Sequence, residues 1–226
     1  MTAFMLKQSP GRAVLICLVC VVALATCSKE TPTAPKKGPV TWIAEGWRYF
    51  EAKDFAEAVN CFSTALNMNP SDSIAAIAHC GLGWSQARQR AYEVAHNNFT
   101  FSVQKDSTTP GPYVADSYAG RAATFFRMNL YSEAISDVKK ALSSTGTYEF
   151  VHDRTVRFTD LHFLMAEAYY HTRQYQMAQE KVDFLRALFA LPPINWTVVP
   201  YMVDGLGYGT YQEALLKAIE GLRSRV

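Results

Sequence analysis

A chain of 226 residues, 49% of them hydrophobic, is long enough to bury a substantial core. Its formal charge of +2 rests on Lys7 and Arg12: the first 26 residues hold no acid, and the remaining 20 basic and 20 acidic residues cancel. A neutral, evenly mixed surface lacks the basic footprint that phosphate binding needs, so nucleic acid is not an expected partner. Twelve Tyr and thirteen Phe, with few alternating Val-rich runs, favour helices packed through aromatics over a sheet.

Residues 1–26 read as a targeting segment. Lys7 and Arg12 give the positive start, and Ala13–Thr26 is an almost unbroken apolar run, short of the about 20 residues a bilayer span needs. It ends in Leu24-Ala25-Thr26-Cys27, which resembles a bacterial lipobox with Thr where Gly, Ala or Ser is usual. That resemblance implies lipidation of Cys27 as the first mature residue. With Ser28 rather than Asp following it, the resemblance also implies sorting to the outer membrane, on the periplasmic face. An uncleaved anchor or an ordinary secretory signal are the alternatives. Residues 27–40, with three prolines and three lysines among small polar groups, form a solvated linker, and the folded part is expected from about Thr41.

Helical periodicity then predicts four pairs: 41–53 with 55–68, 72–89 with 91–105, 112–128 with 131–143, and 155–172 with 175–190. The pairs share one register. Gly46 to Ala58, Gly83 to Ala95, Ala122 to Ala134 and Ala166 to Ala178 are each twelve residues apart, and Phe55, Tyr92, Tyr131 and Tyr175 each stand three before the second residue. Successive copies are 37, 39 and 44 residues apart, and the longest insert falls in 143–154. Inserts in repeat proteins either lie on the binding side or act as spacers. After Leu191 the pattern gives way to an irregular, aromatic-rich crossing, and 211–224 forms a lone amphipathic helix. A stack of repeats leaves its last apolar face open, and this helix is expected to cap it.

Within the first pair, Trp42, Gly46, Tyr49, Ala58, Phe62 and Pro70 sit at six of seven fixed positions of the tetratricopeptide pattern, Glu45 replacing Leu at the other. Small residues there allow close helix approach, aromatics fill the space between, and the proline follows the second helix because it cannot continue one. The stretch resembles a tetratricopeptide repeat. The resemblance implies an all-α right-handed superhelix over 41–191, capped by 192–226, that serves as a non-enzymatic interaction scaffold for a protein or peptide of the envelope.

In such arrays the first helices line a concave groove. Positions one, four and five past each register Gly or Ala share a face there and place Trp47, Phe50, Trp84, Arg88, Phe126, Arg127, Tyr170 and His171 in the candidate site. The alternative is that Trp47 and Trp84 pack against the next repeat and only line the core. The Lys and Asn clamp by which chaperone-type relatives hold a C-terminal carboxylate is missing at these places. No zinc spacing, phosphate loop or nucleophile elbow appears, so no cofactor or metal is expected. Cys61 and Cys80 fall on neighbouring helices and are read as free buried thiols, with a disulfide as the alternative. A second reading, an envelope enzyme or sugar-binding lipoprotein, would place its pocket near Trp196, Tyr201 and Asp204.

Overall fold

Pro39 sits in the first turn of the first helix, where its missing N–H leaves no bond unmade. The helix therefore starts two residues before the expected Thr41. The structure, a computed structural model, describes residues 37–105, 112–143 and 147–226. The expected signal segment and Cys27 lie outside the described residues. Four helix pairs follow one another: α1 (Pro39–Glu51) with α2 (Phe55–Leu66), α3 (Asp72–Arg88) with α4 (Tyr92–Lys105), α5 (Pro112–Arg127) with α6 (Tyr131–Ser143), and α7 (Phe158–His171) with α8 (Tyr175–Leu188). A two-stranded hairpin, β1 (Tyr201–Val203) and β2 (Leu206–Tyr208), precedes α9 (Tyr211–Leu222). Each helix packs on the next in sequence, and the first helices also pack in succession: α1 on α3, α3 on α5, α5 on α7. The result is an all-α helical-repeat superhelix.

The turn inside each pair is the same device used four times. The chain enters the left-handed region at Lys53, Arg90, Asn129 and Arg173, each seven residues past its register Gly or Ala. Two N–H groups then fold back on the helix end, as when Lys53 donates to Phe50 O (2.9 Å) and Asp54 to Tyr49 O (2.9 Å). Arg173 and Gln174 repeat this on Tyr170 and Tyr169. These bonds satisfy carbonyls that a helix end otherwise leaves unpaired. In the first pair Asp54 also accepts from the Glu57 N–H (3.2 Å), capping α2.

Packing between pairs follows from side-chain size. Phe62 on α2 is fully buried between Gly46 on α1 and Gly81 on α3, where a Cβ would approach its ring to 2.7 and 2.3 Å. Phe99 on α4 lies in the same way between Gly83 and Gly120. In the last two pairs the ring is replaced by Val138 and Val182, and the register glycine by Ala122 and Ala166, all fully buried. A large ring goes with glycine and a small side chain with alanine.

The C-terminal crossing is more ordered than its glycines suggest. The buried Arg186 guanidinium donates to Pro192 O (2.8 Å) and to Asp204 (2.8 Å), which ties the β-hairpin to α8. That pairing holds the Asp204 carboxyl below its ordinary range. Trp196 Nε1 donates to Asp183 (2.9 Å). Helix α9 then packs on α8 and α7, burying Leu215, Ile219 and Leu222, and so takes the position a further first helix would occupy. Cys61 and Cys80 are buried and are not joined in a disulfide. Among the described residues no helix is long and apolar enough to cross a membrane.

Candidate functional site

The concave face is built from the first helices, but the chain fills part of it. The insert between α6 and α7 folds as a tight hairpin. The Phe150 N–H donates to Val156 O (2.9 Å) and the Phe158 N–H to Tyr148 O (2.7 Å). Residues 155–157 are drawn into this hairpin, so α7 starts at Phe158 rather than at 155, with Asp160 accepting from the Arg157 N–H (2.8 Å). Side chains alternate along it. Tyr148 and Phe150 point inward and are buried, while Glu149 and Val151 point to solvent.

Phe150 has no exposed surface and stacks on Trp84 with ring centroids 4.4 Å apart. It also meets Trp47 and Phe50 edge-on, at 6.0 and 5.9 Å. His152 lies flat on Trp47 (3.9 Å, planes within 3°), its Nδ1 hydrogen-bonded to Glu51 (2.8 Å). Asp153 pairs with Arg88. At the inner end, Tyr148 lies beside the buried carboxyl of Asp116 without reaching hydrogen-bond geometry. Burial raises that carboxyl to about 6 and pushes the Tyr148 phenol up as well. Trp84 Nε1 donates to Asp116 O (3.2 Å), joining the second repeat to the third.

The expected groove residues therefore fall into two groups. Trp47, Phe50 and Trp84 do line the concave side of α1 and α3, but with 5, 2 and 4% of their surface exposed they form the floor beneath the hairpin. Only their edges reach open space, Trp47 in a cavity of about 230 Å³ beside Ile43 and Ile77, and Phe50 in one of about 380 Å³ beside Arg88 and His152. The insert is neither a free binding loop nor an inert spacer. Arg88 stays exposed at the rim, held by Asp153. Phe126 is half-buried and packs edge-on against Tyr131 (5.3 Å), which stacks on the exposed His171 (4.4 Å). Tyr170 packs on Tyr175. Arg127 is exposed and unpaired among the described residues.

Beyond the hairpin the groove is open. A cavity of about 230 Å³ lies between α3 and α5, bordered by Trp84, Arg88, Arg90, Tyr92 and Arg127. A second, of about 390 Å³, lies between α5, α7 and the end of α9, bordered by Phe126, Phe163, Leu164 and Arg223. Both are bordered by Ala123 and Arg127, so they adjoin along the face of α5. The polar groups of Trp196 and Asp204 are taken up in pinning the C-terminal crossing. Among the described residues no three His, Cys, Asp or Glu side chains are placed to hold a metal ion.

Sequence reasoning missed Phe150, His152, Asp153 and Arg90. The signal for the first two was present: Tyr148-Glu149-Phe150-Val151-His152 has a period of two inside a segment read by length alone.

Residues 39–72 match the tetratricopeptide repeat family model. No curated protein matches the chain. Among solved structures, the crystal structure of the apo form of RapI is similar with a TM-score of 0.58 at 14% identity, covering 94% of this chain and 77% of that one. At that identity the likeness is one of fold. Residues 39–72 thus carry a tetratricopeptide repeat by sequence, and the four helix pairs share a tetratricopeptide-like fold.

Proposed function

We propose that this protein is a non-enzymatic scaffold that binds a segment of another protein along the open part of its concave face, between the α6–α7 hairpin and Arg223. One observation carries this reading: the chain covers the aromatic floor of its first two repeats with its own hairpin, yet leaves the adjoining cavities around Ala123 and Arg127 uncovered. Tetratricopeptide architecture supports a protein or peptide as the occupant. The Leu24–Cys27 lipobox supports lipid anchoring at Cys27 and a place on the periplasmic face of a bacterial outer membrane.

Two experiments test the two halves. A photocrosslinking residue at Ala123, introduced in intact cells, should capture a protein that the same residue at Phe101, half-exposed on α4, does not. Equal capture from both faces would remove the groove from the account. For the anchor, Cys27→Ala should abolish incorporation of an alkyne fatty acid and release the protein from membranes; a membrane-bound protein with unmodified Cys27 would refute it.

A further inference from the structure

Comparing the four first helices position by position singles out the third. Each presents two concave positions, one and five residues past its register Gly or Ala. On α1, Trp47 and Glu51 both meet His152. On α3, Trp84 meets Phe150 and Arg88 meets Asp153. On α7, Glu167 pairs with Arg223, and His171 stacks on Tyr131. On α5 the corresponding residues are Ala123 and Arg127, and among the described residues the Arg127 guanidinium has no ion pair, hydrogen bond or ring contact.

The shape and charge of that step are complementary to a definite chemistry. Ala123 stands where the preceding repeat has Trp84, and the volume a large side chain would fill is open. The cavity toward α3 is bordered by Arg88, Arg90 and Arg127 and by no carboxylate. The acids bordering the other cavity are engaged, Glu167 with Arg223 and Asp160 with the Arg157 N–H. The α6–α7 hairpin shows how the equivalent step one repeat earlier is satisfied: Phe150 covers the Trp84 position, and Asp153, three residues on, meets Arg88.

Resting on the groove reading above, we infer that the α5 step binds a partner polypeptide segment that places an acidic side chain on Arg127. A large apolar side chain, two to four residues earlier in that segment, occupies the space over Ala123. The hairpin is thus an internal copy of the ligand one repeat away. An Arg fork matches a carboxylate in two parallel hydrogen bonds, so the pairing gives orientation as well as attraction.

Selecting a phage-displayed random heptapeptide library on the full chain tests this. Enriched peptides should carry Asp or Glu two to four residues after Phe, Tyr, Leu or Met. Arg127→Gln should weaken them about tenfold or more, and Arg127→Lys by less. Ala123→Trp, which fills the cavity, should abolish binding; Ala123→Leu replaces it if the tryptophan lowers the melting temperature. Peptides that need no acid and ignore Arg127→Gln, yet are blocked by Ala123→Trp, would overturn this inference and leave the groove reading standing. Binding indifferent to Ala123→Trp, or no enrichment at all, would overturn both. Arg127-dependent adhesion to phosphatidylglycerol vesicles with no acidic peptide enriched would assign the arginine to a lipid surface and overturn it too.

Discussion

Phe150 lies on Trp84 with planes within 17° and no surface left to solvent, which joins the longest insert to the second repeat. The stacked pair, with Trp47 and Phe50 around it, makes the hairpin part of the core rather than a removable cover. Phe150→Ala should therefore behave as a core truncation and lower unfolding free energy by about 3–5 kcal/mol. Denaturant unfolding measures it. A loss under about 1 kcal/mol, the range of ordinary surface changes, would show that the hairpin lifts off at little cost.

The ring-and-glycine packing makes a second prediction. A methyl on Gly81 would stand 2.3 Å from Phe62 Cζ. Overpacking of this kind costs about 1–3 kcal/mol, more than the 0.5–1 kcal/mol that Ala gains over Gly inside a helix. Gly81→Ala should destabilise, and adding Phe62→Val should cost less than the two single losses combined, because the last two pairs already use Ala with Val. Additive losses in a double-mutant cycle would mean that the backbone, not the ring, sets this spacing.

The buried Asp116 carboxyl predicts a pH dependence. Burial raises its folded pKa to about 6, above an ordinary value near 3.9. Between those values the folded chain holds the proton and the unfolded chain releases it. Stability from this group is thus fully present at low pH, falls as pH rises through that window and stays lost above it. A shift of about two units corresponds to at most about 3 kcal/mol. Asp116→Asn should be more stable than the parent at pH 8 and lose that advantage at pH 4. Urea titrations of both proteins at the two pH values decide it, and parallel profiles would refute the assignment.

The fold was legible where physics acts locally. Gly46, Phe62 and Pro70 encode one helix pair by size and backbone geometry, and the twelve-residue interval carries that pair through the chain. The turn residues Lys53, Arg90, Asn129 and Arg173 were hidden, because none is a glycine and no one residue type recurs at all four turns. The left-handed turn is held by its two backbone bonds, which depend little on the side chain. The site was half legible. The spacing puts Trp47 and Trp84 on one helix face, but whether that face is open depends on what packs there from 66 residues further along, Trp84 to Phe150. The period of two in Tyr148–His152 marks an extended segment, but it does not say which helices that segment packs on. The C-terminal hairpin escaped notice for a similar reason: Arg186 and Asp204, distant in sequence, hold it.

The last prediction separates the two arginines that share a repeat position. Arg88 and Arg127 both stand five residues past their register Gly or Ala, and sequence alone treats them as equivalent. In the structure Arg88 meets Asp153 at the edge of the hairpin, with side chains 36 and 25% exposed, whereas Arg127 makes no ion pair, hydrogen bond or ring contact among the described residues. An ion pair so exposed contributes about 0–1 kcal/mol, which at this chain length moves the melting temperature by at most about 2–4 °C. Arg88→Ala should therefore lower melting slightly, Asp153→Ala should do the same, and the double variant should lose no more than either alone. Arg127→Ala should melt as the parent does. The binding readout should run the other way, with Arg127→Ala losing peptide capture and Arg88→Ala retaining most of it. If Arg127→Ala melted earlier while binding was unchanged, the guanidinium would be part of the fold, and the open step on α5 would lose its role as a docking site.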